Sequence, residues 1–165
     1  MAATVVFSES NGAGETVTSN ISNVSYGSVD QPNIVAANHP VIIGTNAFSK
    51  MVRMQVTAMG GSTSLSNFKL WKSAGVYLAG EQLNSNTTAF PSEGTYAQPS
   101  QALLNYGAIQ TSLPGSTNLY IGGGAGGSII APGFTDYWRS QTVSSLLTPE
   151  ANGNQKTISV QWDEV

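Results

Sequence analysis

"AFSKMVRMQVTAM", residues 47–59, is the stretch whose reading decides the fold. Phe48, Val52, Met54 and Val56 fall on one parity, and Ser49, Arg53, Gln55 and Thr57 on the other. A two-residue period belongs to an extended strand with one face turned to a core. A helix would need apolar residues three and four apart, and Phe48, Met51, Val52 and Gln55 supply only part of that stripe. The Gly60-Gly61 pair that follows also favours a strand. Lys50 sits on the apolar parity near the start, which places it at the end of the sheet. Met51 and Met59 interrupt the polar side.

Outward from this element the same signals recur. "TVVFSE" (4–9) reads as a first strand, followed by a turn at Asn11-Gly12. "TVTSNISNVSYGS" (16–28) alternates in places, as one or two strands, and "DQPNIVAANHP" (30–40) with its two prolines is an irregular excursion before a short strand at 41–44. "NFKLW" and "VYLA" flank Ser73-Ala74-Gly75 and predict a hairpin in which Gly75 takes a positive φ. One helical turn is expected from Ser100 to Tyr106. "TDYWRSQTVSSLL" (135–147) and "QKTISVQWDEV" (155–165) read as closing strands, the latter with Ile158, Val160 and Trp162 on one parity. Many short strands separated by turns predict a single all-β domain over 1–165, an antiparallel β-sandwich of jelly-roll or Ig-like type. Residues 1–15 are expected to form an edge strand or a docking arm.

Composition narrows the function. Only 9 % of the residues are charged and the formal net charge is −3. Six basic residues make no basic stripe, which argues against direct nucleic-acid binding. The chain has no cysteine, so disulfides, thiolate metal sites and thiol catalysis are excluded. Ser, Thr, Asn and Gly occupy 67 of the 165 positions, which suits turns and strand surfaces better than helices. No basic segment followed by an apolar run opens the chain, and no apolar run is long enough to span a bilayer.

The candidate sites are few. "YIGGGAGGSIIAPGF" (120–134) places Gly122, Gly124 and Gly127 in a G-x-G-x-x-G spacing after a short strand. A phosphate-binding loop of that kind needs a helix directly behind it, and Pro132-Gly133 stops one within a turn. The other readings are a glycine-rich surface turn, or a place where a neighbouring subunit's backbone approaches Gly124 closely. His39, the only histidine, has Ser28 and Asp30 near it in sequence, but an exposed or edge-capping role outweighs a catalytic triad. The carboxylates show neither calcium-loop nor paired-glycosidase spacing. No catalytic residue, metal ligand or cofactor is expected. Trp71, Tyr77, Tyr96, Phe134, Tyr137 and Trp138 form either core or an exposed platform for sugar or protein. Tyr137 and Trp138, being adjacent in a strand, point to opposite faces. Three N-glycosylation sequons, at Asn20, Asn23 and Asn86, are explained by the abundance of Asn, Ser and Thr.

Taken together, "ISNVSYGSVD", "AFSKMVRMQVTAM", "NFKLWKSAGVYLAG" and "NGNQKTISVQWDEV" resemble the small β-sandwich virion proteins of tailed bacteriophages, of the capsid decoration or cement type. The resemblance is one of pattern over most of the chain and transfers no functional residue. It implies a protein without enzymatic activity, made in the host cytoplasm, that sits on the outer capsid surface and clamps neighbouring major-capsid subunits, often as a trimer. Val5, Phe7, Trp71, Tyr77, Gly124, Phe134, Tyr137 and Trp138 are the expected partner-binding residues. A carbohydrate- or receptor-binding module of a phage tail or fibre is the alternative.

Overall fold

The computed structural model describes residues 1–10, 17–30, 34–87, 107–124, 126–149 and 154–165. The expected helical turn at 100–106, Tyr96 and the Asn11-Gly12 turn lie outside them. Within them the chain is all-β, and its one helical piece is a 3-10 turn at Ala36–Asn38. The strands are β1 (Thr4–Ser10), β2 (Thr18–Ser19), β3 (Lys50–Ala58), β4 (Leu65–Ala74), β5 (Gln82–Asn86), β6 (Gly107–Ala108), β7 (Gly133–Phe134), β8 (Trp138–Val143) and β9 (Thr157–Glu164). Every ladder is antiparallel. A large sheet runs β2-β1-β3-β8-β5-β6, with β7 on the far half of β3, and a second sheet consists of β4 and β9.

The two sheets share one core, as a sandwich requires. Val52, Met54 and Val56 of β3, Leu83 of β5 and Trp138 of β8 meet Leu65, Phe68 and Leu70 of β4. Ile158, Val160 and Trp162 of β9 close it from the second sheet, and Val5 and Phe7 of β1 from the first. Val52, Met54 and Val56 of 47–59 and Ile158, Val160 and Trp162 of 155–165 therefore face inward as their parity implies, while Phe48 lies before β3 and outside this cluster. Phe7 meets the Trp138 ring edge-on, with centroids 6.1 Å apart.

β4 keeps its own parity only through a bulge. Its register against β9 shifts between Ser66 and Lys69, where Asn67 takes a φ of 56°. The extra residue lets Leu65 join Phe68 and Leu70 on the inner face, although it stands on the opposite parity in the sequence.

The predicted hairpin at 67–79 does not form. Gly75 has the expected positive φ of 87°, but β4 pairs with β9, 83 to 99 residues away, and residues 76–79 form no strand. The eight residues of β9 bring three apolar side chains into register with β4, a longer ladder than four residues offer. A Cβ at Gly75 would lie 2.4 Å from the Gln155 carbonyl, so the turn serves the approach to β9. Residues 41–44 are likewise not a strand; they form a turn closed by the Thr45 N–H donating to the Ile42 carbonyl at 2.9 Å. Of 16–28, only Thr18–Ser19 is strand among the described residues.

Lys50 opens β3 as expected, but it is fully buried. Glu9 lies opposite Val52, one ladder step from Lys50 on the same face, and its carboxylate meets the Lys50 ammonium at 2.9 Å. Tyr26 stands beside this pair with its hydroxyl bonded to Ser140 Oγ. Burial, together with the negative charge of Glu9, pushes the Tyr26 phenol well above its ordinary value of 10, against the opposing effect of the Ser140 bond. Below pH 10 the phenol is protonated whether the chain is folded or not. Above pH 10 the unfolded chain loses a proton that the folded chain keeps. Stability is therefore expected to fall by up to about 1.4 kcal/mol per pH unit above that point. Denaturant titrations between about pH 9 and pH 11 check this; Tyr26→Phe should show a shallower slope, and an equal slope would remove Tyr26 as its source.

Candidate functional site

The glycine stretch is the sharpest motif in the sequence, and the sheet explains what it does. Phe134 of β7 faces Gln55, and Trp138 of β8 faces Val52, so residues 135–137 stand opposite only residues 53 and 54. This one-residue bulge is held by Thr135, whose N–H donates to the Met54 carbonyl at 2.9 Å and whose Oγ1 accepts from the Met54 N–H at 3.0 Å. The bulge turns Asp136 out of the ladder and toward the glycines. Gly122 N–H donates to Oδ1 at 2.7 Å and Gly123 N–H to Oδ2 at 2.6 Å.

Gly122 and Gly123 have φ values of 61° and 82°, and Ile121 and Gly124 exchange backbone bonds at 3.1 and 3.2 Å around them. Two central residues with positive φ make a type I′ turn, which excludes most side chains. Successive backbone N–H groups in such a turn make an anion-binding concavity. Here the chain's own carboxylate fills it, with Asp136 buried. The loop is an internal clasp, and Gly124 is one of its closing residues.

The aromatic residues separate into distinct places. Trp138 faces the shared core and Tyr137 the opposite side of the large sheet, where it forms a second small buried cluster with Met51. Both are buried, 6 % and 2 % exposed, so of the two roles open to them core is the observed one. Arg53 stacks over Tyr137 and over Phe134, its guanidinium carbon 4.6 Å and 3.8 Å from the ring centroids, and Phe134 stays exposed. Trp71 lies half-buried on the outer face of the small sheet, opposite Ser159. Tyr77 is half-buried between Lys72 and Lys156, whose ammonium groups lie 4.8 Å and 5.6 Å from its ring. Its phenol is raised by burial and by the neighbouring Glu81. Val5 and Phe7 pack against the core from β1, which lies between β2 and β3, so residues 4–10 are built into the sheet.

The described carboxylates are each engaged. Glu81 pairs with Lys156 and accepts from Leu78 N–H at 2.9 Å and Asn154 Nδ2 at 2.6 Å, tying the 75–81 loop to the start of β9. Asp163 accepts from Asn67 Nδ2 at 3.0 Å. Glu164 accepts from Trp162 Nε1 at 3.0 Å, Ser62 Oγ at 3.0 Å and Ala3 N–H at 3.2 Å. The Trp162 bond above all, and those from Ala3 and Ser62, hold its carboxyl below the usual range. Ser28 and His39 do meet, through the Ser28 N–H and the His39 carbonyl at 3.2 Å, which is a backbone contact. Among the described residues no three His, Cys, Asp or Glu side chains come together as a metal site, and no helix is long and apolar enough to cross a membrane.

Several large apolar side chains are exposed among the described residues, and three of them lie on two neighbouring segments that the sequence reading missed. Ile42, Leu146 and Leu147 are 66 %, 85 % and 81 % exposed. The segments that carry them are locked together by Ser144: its hydroxyl accepts from Gly44 N–H at 3.2 Å and donates to the Thr45 carbonyl at 2.9 Å. Gly44 lies directly under the Leu146 side chain, since a Cβ there would come within 2.8 Å of it. Neither segment is apolar enough alone to signal this; the patch exists because β8 delivers residues 144–147 beside the 42–45 turn.

Comparison with protein-family models, with curated proteins and with solved structures finds no match to this chain.

Proposed function

We propose that this chain is a non-enzymatic structural protein of a tailed-bacteriophage virion, a capsid decoration protein that binds between neighbouring major-capsid subunits and stabilises the head. The observation that carries this reading is the Ile42, Leu146 and Leu147 patch on a hydrogen-bonded platform at one end of the sandwich. Exposed apolar side chains held together in this way mark an interaction site. The pattern-level resemblance to decoration proteins supplies the kind of partner. The self-filled glycine clasp and the separately engaged carboxylates agree with a protein that works by contact.

A shell protein draws its affinity from many modest terms repeated by symmetry. Apolar burial contributes about 25 cal/mol per Å² and each net hydrogen bond about 1 kcal/mol. The sugar-stacking alternative has less support, because two of its aromatic residues, Tyr137 and Trp138, are core.

The test is binding to purified heads assembled from the major capsid protein encoded in the same genome. The wild-type chain should add regular density to the outer shell. The triple variant Ile42→Ser/Leu146→Ser/Leu147→Ser should keep its fold and lose at least about tenfold in affinity, since hot-spot truncations at interfaces cost upward of 1–2 kcal/mol each. Saturating protein that leaves heads bare, or a glycan array bound through Trp71, would overturn the proposal.

A further inference from the structure

The sandwich protects its sheet edges unevenly. The large sheet ends in β2 and β6, each two residues long. β4 has its far edge closed along its length. Leu65 exchanges backbone bonds with Ile129, both at 2.8 Å, and Lys72 N–H donates to the Gln110 carbonyl at 2.8 Å. At Leu70 the Asn118 side-chain amide stands in for a strand, accepting from the N–H at 2.7 Å and donating to the carbonyl at 2.8 Å. β9, eight residues long, pairs with β4 alone among the described residues. A shallow, widely open groove runs along its residues 160–164.

The ladder shows which β9 groups face that groove. Leu65, Leu70 and Lys72 turn their backbone groups away from β9, and they stand opposite Glu164, Val160 and Ile158. Antiparallel pairs alternate, so Glu164, Val160 and Ile158 direct their own N–H and C=O groups to the open side. Strands left in this state are normally guarded by lysine, proline or a bulge on the edge. Between Thr157 and Trp162 there is no charge and no proline.

We infer that β9 pairs antiparallel with β9 of a second copy of this chain, about a two-fold axis at Val160, joining two small sheets into one of four strands. The choice of occupant rests on the charge order of the strand. Lys156, itself paired with Glu81, precedes the strand and Asp163-Glu164 end it, so antiparallel self-pairing brings the acidic end of each copy beside Lys156 of the other, whereas a parallel copy would stack the acidic ends on each other. The same register sets Ile158 opposite Trp162, both only partly buried against the core of their own copy. On the solvent face it sets Ser159 opposite Gln161. The pairing is a property of the chain alone and does not depend on the capsid role.

The experiment is sedimentation equilibrium of the full chain across micromolar concentrations. The wild type should reach twice the chain mass. Gln161→Lys places the two lysines diagonally across the axis, each opposite Ser159 of the other copy, and should raise the dissociation constant about fivefold. Adding Ser159→Glu sets opposite charges face to face and should return it to the wild-type value or below. Because the chain has no cysteine, Ser159→Cys/Gln161→Cys should cross-link as a dimer on mild oxidation, these being the closer, non-hydrogen-bonded positions of the new ladder. Circular dichroism confirms that each variant is folded. A monomer at all concentrations, a dimer or trimer indifferent to both charge variants, or a free monomer whose β9 is covered only on capsids would overturn the inference.

Discussion

Replacing Lys50 with methionine is expected to lower the unfolding free energy by about 3–5 kcal/mol, because it leaves the Glu9 carboxylate in the core without the ammonium that faces it. Both side chains are fully buried and meet at 2.9 Å. The two charges sit on the inner face of adjacent strands, in line with Phe7 and Val5 on one side and Val52 and Met54 on the other. Desolvating such a pair is costly, and their mutual attraction offsets the cost only while both are present. The double variant Glu9→Leu/Lys50→Met should therefore recover most of the loss, or exceed the wild type. Urea denaturation of the wild type, both single variants and the double variant measures the coupling directly. A Lys50→Met protein within about 1 kcal/mol of wild type would place the pair in the same class as an exposed surface bridge.

Asp136→Ala is expected to cost about 3 kcal/mol or more. It removes the acceptor of two short hydrogen bonds from Gly122 and Gly123, and bonds to a charged group contribute about 1.5–3 kcal/mol each. The variant also empties an anion-binding concavity. Acetate, which can replace the lost carboxylate, should raise the melting temperature of Asp136→Ala and leave the wild type unchanged. Thermal melts with and without acetate read both effects. An Asp136→Ala protein that melts with the wild type would mean that the clasp contributes nothing to stability. Wild-type protein stabilised by a nucleotide would return the glycine loop to the phosphate-binding reading.

These two sites differ in how far the residues alone revealed them. Asp136 and the glycines are 13 and 14 residues apart, and the G-x-G-x-x-G spacing was visible, as was the proline that denies it a helix. That the loop's N–H groups were already committed was not, because the bulge that aims Asp136 depends on Thr135 meeting Met54 across a ladder 81 residues long in sequence. The parity and the position of Lys50 place it at the end of a sheet. Both were right, but its burial depends on Glu9, forty-one residues earlier, arriving in register on β1. The Ile42 and Leu146 patch gave no sequence signal, since each half of it is a short run in a polar loop.

By itself the sequence determined the class of the fold and the inward face of two of its strands: Val52, Met54 and Val56 on β3, and Ile158, Val160 and Trp162 on β9. Side-chain alternation is a local property of extended backbone, so a single strand carries it in full. Partner choice is not local. The tertiary structure alone decided that β4 pairs with β9 across 83 to 99 residues rather than with the segment after Gly75, that a bulge at Asn67 turns Leu65 inward, and that Tyr137 and Trp138 are both buried, on opposite sides of one sheet. A strand is stabilised by whichever partner offers the longer ladder and buries more apolar surface in register, and that comparison involves the whole chain at once.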